Sequence, residues 1–117
     1  MLKFIKGCTI QIQITVNEDI TDWEIKAKLY DNSGNSIVVA TTGAGGSDDE
    51  IEKTLEGTSE STFVIKIPQS TTFAWENNGY LEIKVDTGET IAGEDEILQG
   101  YKSAVQFIDS DLNWDND

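Results

Sequence analysis

The sequence contains no histidine and a single cysteine, Cys8. Without histidine, Ser-His-Asp and Cys-His catalysis lack their base, and zinc sites built on imidazole are excluded. One cysteine cannot close an intrachain disulfide, so nothing points to an oxidising compartment, and it cannot hold a thiolate zinc or iron–sulfur cluster. Basic residues are scarce as well: eight stand against 22 acidic ones, for a net charge of −14. A nucleic-acid-binding surface needs cations to displace phosphate counterions, and adhesion to anionic lipid needs them too. Neither nucleic acid nor a membrane is therefore an expected partner. No apolar run approaches the ~18 residues of a membrane helix. In the N-terminal stretch MLKFIKGCTI, continued by Gln11 and Gln13, polar residues interrupt the apolar pattern at once, and no signal peptide is expected. These absences together predict a soluble, intracellular product.

What is present is alternation. In CTIQIQITV, Cys8, Ile10, Ile12, Ile14 and Val16 share one face and Thr9, Gln11, Gln13 and Thr15 the other, the pattern of a half-buried strand. NEDITD reads as a turn. WEIKAKLY puts Trp23, Ile25, Ala27 and Leu29 inward and Glu24, Lys26 and Lys28 outward, which no helix can do. DNSGN, with Gly34 free to take positive φ, then joins it to the β-branched SIVVATT as a hairpin. GAGGSDDE reads as an exposed loop, and IEKTLEG fits either a helical turn or a short edge strand. STFVIKI is a strand with Phe63, Ile65 and Ile67 on one face, ended by Pro68. QSTTFAWENNG suggests one hydroxyl-capped helical turn before an Asn-Asn-Gly turn. YLEIKVD and ILQGYKSAVQFI supply the last two strands, with Gly100 as a natural bulge. About seven strands at roughly ten-residue spacing predict an all-β, immunoglobulin-like antiparallel sandwich. The absent cysteine pair excludes an antibody-type domain, and Trp23 is the candidate for the core tryptophan. The 117 residues suffice for one domain over 1–108, followed by an acidic tail over 109–117.

Candidates for chemistry are few. The strand phase makes Cys8 a small core residue rather than a nucleophile. GAGG lacks the Lys-Ser/Thr of a phosphate loop, and the carboxylates cluster in loops rather than facing each other across a cleft. No catalytic residue and no cofactor are expected, and the chain is read as not an enzyme. The tail carries Asp109, Asp111, Asn113 and Asp115 at alternate positions, echoing the start of an EF-hand loop. Trp114 stands where that loop needs glycine, and the closing glutamate is missing, so a weak calcium site combining the tail with SDDE or GEDE is what remains of the idea. Trp75, Tyr80 and Trp114 fall near turns or ends and are candidate interface anchors or sugar-stacking platforms.

The segments FIKGCTIQIQITV, DITDWEIKAKLYDNSGNSI and FVIKIPQSTTFAWENNGYLEIKV follow one order: a Lys-Gly turn, an alternating strand, a tryptophan strand, a Thr-rich segment and a Gly-Tyr strand start. Over residues 3–108 this order resembles small bacteriophage and prophage structural proteins, and is similar to the N-terminal sandwich of baseplate upper proteins. The chain departs from that pattern at Cys8, where most members carry Asp or Ser, and in DTGETIAGEDEILQG, which lengthens the last hairpin. The resemblance implies a tail- or baseplate-associated role without catalysis, exercised through contacts with other phage structural subunits or further copies of the chain, in the virion or the bacterial host cytoplasm. It transfers no active-site residue. Two other readings stay open: a carbohydrate- or calcium-binding module at a host surface, and an acidic DNA mimic. A mimic needs carboxylates spaced along one face like phosphates, whereas here they gather in loops and the tail.

Overall fold

The computed structural model describes residues 2–41, 50–67, 72 and 74–109. Eight strands follow in order: β1 (Leu2–Ile5), β2 (Ile10–Val16), β3 (Glu24–Asp31), β4 (Ser36–Ala40), β5 (Glu50–Leu55), β6 (Ser61–Ile67), β7 (Asn78–Ile91) and β8 (Glu94–Ile108). They form two sheets, one ordered β1-β8-β7-β3-β4 and the other β2-β6-β5. Every ladder is antiparallel except that of β1 with β8, which is parallel. The β2-β6-β5 sheet packs against the five-stranded sheet as a two-sheet, antiparallel-dominated sandwich of the immunoglobulin-like kind. IEKTLEG is resolved as the edge strand β5.

The alternation places the core. Ile25, Ala27 and Leu29 from β3, Phe63, Ile65 and Ile67 from β6, and Leu81, Ile83 and Val85 from β7 are all buried between the sheets. Each of these side chains larger than Ala27 contributes about 1.5–3 kcal/mol relative to its exposed state. Gly100 is the bulge: Ile83 pairs with Tyr101 and the next residue, Lys84, with Gln99. Gly34 takes φ 95° in the β3–β4 hairpin turn. Gly79 has a different reason to be glycine, because a Cβ there would stand 2.0 Å from the Tyr30 carbonyl oxygen.

Two readings are corrected. Cys8 is exposed rather than in the core. Gly7, at φ 79°, turns the chain after β1, and β2 begins only at Ile10, so the alternation does not extend back to Cys8. The tryptophan in the core is Trp75, not Trp23: Trp75 is buried and meets Phe107 edge-on, with centroids 5.3 Å apart and planes at 83°. Trp23 sits half-buried just before β3, at the end of its sheet. The hydroxyl of buried Thr72 accepts the Gly7 amide at 3.3 Å. It therefore joins the first turn to the β6–β7 connection, while the Thr72 carbonyl accepts the Trp75 amide at 3.2 Å in a single tight helical turn; Ser70 and Thr71 lie outside the described residues. The strand β1 was absent from the seven expected.

Two carboxylates lock the loops. Asp31 is buried, yet accepts the amides of Ser33 (3.0 Å), Asn35 (2.9 Å) and Glu76 (2.7 Å) and the side-chain amide of Asn35 (2.9 Å). Burial pushes its carboxyl up, but these donors outweigh burial and hold it below the ordinary carboxylate range. Asp19 in the NEDITD turn accepts the Thr21 hydroxyl and amide and the Gly57 amide, which lowers its pKa and ties two loops together.

Candidate functional site

The outward phase of β3 presents Lys26, Lys28 and Tyr30, and that of β7 presents Tyr80, Glu82 and Lys84. Sheet register then brings them together: Lys26 lies opposite Lys84, Lys28 opposite Glu82, Tyr30 opposite Tyr80, and Glu82 opposite Lys102 of β8. Four of the chain's eight basic residues thus share one sheet face. The Tyr30 and Tyr80 rings are 5.7 Å apart, tilted by 31°. Lys28 Nζ stands 5.3 Å from the Tyr30 centroid and Lys102 Nζ 5.5 Å from that of Tyr80. Ammonium groups over rings in this way gain about 0.5–1 kcal/mol each at exposed sites. Lys84 reaches Glu82 at 3.7 Å but stays 62% exposed, while its direct neighbour across the ladder is Lys26, a like charge. Directly opposed like charges repel. Glu24 and Asp86, opposite each other, and Glu82 share this outward phase, so three carboxylates are interleaved with the four lysines beside the tyrosine pair.

Purely acidic charge is found at one end of the same sheet. β7 loses β3 as a neighbour after Asp86, and β8 gains β1 only at Val105, so the β7–β8 hairpin continues beyond the sheet as a two-stranded ribbon. Its two-residue turn places Ala92 at φ 55° and Gly93 at φ 85°, the all-positive geometry that twists with the strands. Residues 86–98 hold five acidic residues and no lysine. Ile91, opposite Glu94 at the turn, is 61% exposed, and Ile97, opposite Asp86 at the base of the arm beside Lys26 and Lys84, is 55% exposed. The half-buried Glu96 accepts the Thr87 hydroxyl at 2.9 Å; Glu89, Glu94 and Asp95 are exposed. Where the ribbon joins the sandwich, an apolar groove of about 420 Å³ opens between β2 and β8, walled by Ile14 and Val16 on one side and Leu98 and Tyr101 on the other.

Of the expected site residues, Tyr80 lies on the lysine-bearing face, 39% exposed. Trp75 is corrected from interface anchor to core residue, because the chain between β6 and β7 folds it inward onto Phe107. Trp114 lies outside the described residues, as do Asp111, Asn113 and Asp115 of the tail. Asp109 is exposed and pairs with Lys6 at 2.9 Å. The GEDE segment forms the β7–β8 turn and the start of β8, and most of SDDE lies outside the described residues. Among the described residues, no group of three or more His, Cys, Asp or Glu is placed to hold a metal ion, and no helix is long and apolar enough to cross a membrane. Sequence reasoning missed the lysine face. Its signal was the outward Lys26 and Lys28 of WEIKAKLY, but their meeting with Lys84 and Lys102 depends on a register that a single strand does not encode.

No protein-family model matches this chain, and no curated protein matches it.

Proposed function

We propose that this protein is a non-catalytic structural subunit of a phage or prophage particle, associated with the tail or baseplate and acting through protein–protein contacts. The observation that carries the reading is the β7–β8 ribbon. Among the described residues it extends past both neighbouring strands without a further pairing partner, and it exposes Ile91 and Ile97. An exposed ribbon with apolar side chains is a hazard in a free monomer and an asset in an assembly that covers it. The surrounding negative charge keeps uncovered subunits soluble. The segment order over residues 3–108 supports the same reading.

The test is mass spectrometry of purified particles after growing the phage, or inducing the lysogen, that encodes the chain. A fixed copy number relative to the major tail protein is the expected result. Absence from clean particles would overturn the reading. The paired Tyr30 and Tyr80 rings on one sheet face favour a second reading, a carbohydrate-binding module. That reading is weaker, since lysines stand over both rings; a glycan array with no hit would remove it.

A further inference from the structure

We infer that two copies of this chain pair edge to edge through β2, antiparallel, so that the three-stranded sheet continues across a two-fold axis at Gln13. This deepens the proposed structural role and rests on it for its biological setting, while the physical argument stands on the strand itself. Among the described residues β2 pairs with β6 alone, which leaves its other edge open. The other sheet edges carry devices that discourage pairing. β5 has Glu50, Glu52 and Lys53 and a bulge between Lys53 and Leu55, and β1 and β4 are only four and five residues long. β2 runs for seven residues, Ile-Gln-Ile-Gln-Ile-Thr-Val, without a charge, a proline, a glycine or a bulge. No charged side chain occurs between Gly7 and Asn17.

The core is unsealed along this same edge. Ile12 and Ile14 lie opposite Ile65 and Phe63 of β6; the β6 pair is buried, whereas Ile12, Ile14 and Val16 stay half-buried. β2 stands over β8, because Ile14 and Val16 wall the groove with Leu98 and Tyr101. β1 lies one strand further out than β8, and among the described residues no strand of the smaller sheet stands over it. Its core-facing Leu2 and Phe4 are half-buried in consequence. A second β2 laid beside the first takes the place over β1. It covers Leu2 and Phe4 at one end and the groove at the other, and removes their apolar surface from water.

The strand is its own complement, which makes a second copy the occupant. Pairing about Gln13 sets Ile10 against the second copy's Val16, Ile12 against its Ile14, Gln11 against its Thr15, and Gln13 against its own mate. Apolar residues meet apolar ones on the core side, and polar uncharged ones meet on the other. Centring on Ile12 or Ile14 would shorten the ladder within β2 to five residues. Two molecules of charge −14 repel at long range, so a contact between them needs a stretch where carboxylates are not opposed, and residues 7–17 supply one. The contact is isologous and closes as a dimer. A ladder about 24 Å long and roughly 15 Å deep buries about 700 Å² in total, less than the ~1,200 Å² of stable complexes, so the dimer is a reversible one.

The test is sedimentation velocity of the full chain across a concentration series. Association is expected to be stronger at about 500 mM salt than at about 50 mM, since salt screens the repulsion between subunits and the ladder has no charges to lose. Two lysine variants decide the geometry. Gln13→Lys sets two ammonium groups face to face across the axis, whereas in Thr15→Lys the two lysines stand about 13 Å apart, beyond the screening length of about 8 Å. Both positions are exposed, so both variants should keep the wild-type circular dichroism spectrum, and both lower the negative charge equally. Gln13→Lys should dimerise about fivefold more weakly than wild type, and Thr15→Lys within about twofold of it. In a Cys8→Ser background, Gln13→Cys should oxidise to a covalent dimer, because directly opposed Cα atoms are about 4.5–5.5 Å apart and within reach of a disulfide. Gln11→Cys should not, its two copies being about 13 Å apart.

A wild-type chain that stays monomeric at every concentration and salt overturns the proposal. So does an equal effect of the two lysine variants, or a Gln13→Cys chain that cross-links no faster than Gln11→Cys; either would move the contact to another surface. The particle experiment is separate. A monomeric chain found at fixed copy number in particles refutes the β2 pairing and leaves the structural role standing, and a dimer absent from particles does the reverse.

Discussion

Replacing Asp31 by alanine should destabilise the fold by about 3–4 kcal/mol, from the loss of hydrogen bonds to a charged acceptor, each contributing about 1.5–3 kcal/mol, less what water restores. The carboxylate is buried at 4% exposure and takes four donors. Two of these, the Ser33 and Asn35 amides, lie in a partly exposed turn that water can reach. The Glu76 amide is different: its 2.7 Å bond joins the β3–β4 turn to the chain entering β7, more than forty residues on. Asp31→Asn separates the two parts. Its carbonyl oxygen can stay on the Ser33 and Asn35 backbone amides, while its NH₂ would face both the Glu76 amide and the Asn35 side-chain amide, donor against donor. The asparagine variant should therefore keep the turn, lose the tie to residue 76, and cost about half as much as alanine. Urea unfolding at neutral pH measures both, against a total stability of about 5–15 kcal/mol for a domain of this kind. An alanine variant within about 1 kcal/mol of wild type would refute the argument, since that is no more than one ordinary neutral hydrogen bond.

The same carboxylate fixes a pH dependence. Its folded pKa is lowered, so its contribution is complete above the unfolded value of about 3.9 and is lost as pH falls through the still lower folded value. Asp19, also lowered, acts in the same direction. Wild-type stability should be flat from neutral pH to about 5 and fall below about 4, with a shallower fall in Asp31→Asn. Equal acid slopes for the two proteins would show that Asp31 is not the group responsible.

Three further expectations follow from single positions. Gly79→Ala forces a Cβ to 2.0 Å from the Tyr30 carbonyl, a backbone atom that cannot rotate away, so a loss above about 4 kcal/mol or failure to fold is expected; a thermal midpoint close to wild type would contradict the close approach. Ala92→Gly relieves a left-handed alanine that costs roughly 1 kcal/mol. Slower amide exchange within 87–97 is the readout, and unchanged or faster exchange would argue against that turn geometry. Cys8 should react with Ellman's reagent in the native protein as fast as in urea, since it is exposed; reaction that waits for unfolding would return it to the core.

Much of the fold could be read from local alternation, and its failures have a common physical origin. Ile25, Ala27 and Leu29, or Leu81, Ile83 and Val85, report their burial through a period of two that needs no knowledge of the partner strand. Cys8 obeys the same period in the sequence and breaks it in the structure, because a positive-φ glycine at position 7 separates it from β2. Four-residue β1 is too short to show a period, and its partner is the far end of the chain, Val105–Ile108. Trp75 lies in no strand at all, and its burial depends on Phe107, more than thirty residues on.

The candidate surface follows the same division. The acidic arm was visible as a run of residues, because its charges are neighbours in sequence. The lysine-bearing face was not, because its lysines are neighbours only across three strands. Net charge averages over both. A value of −14 describes how the molecule repels at long range. It does not describe a contact, where the few charges within about a Debye length decide the sign. A subunit can therefore be strongly acidic overall and still gather four of its eight cations on the face of one sheet.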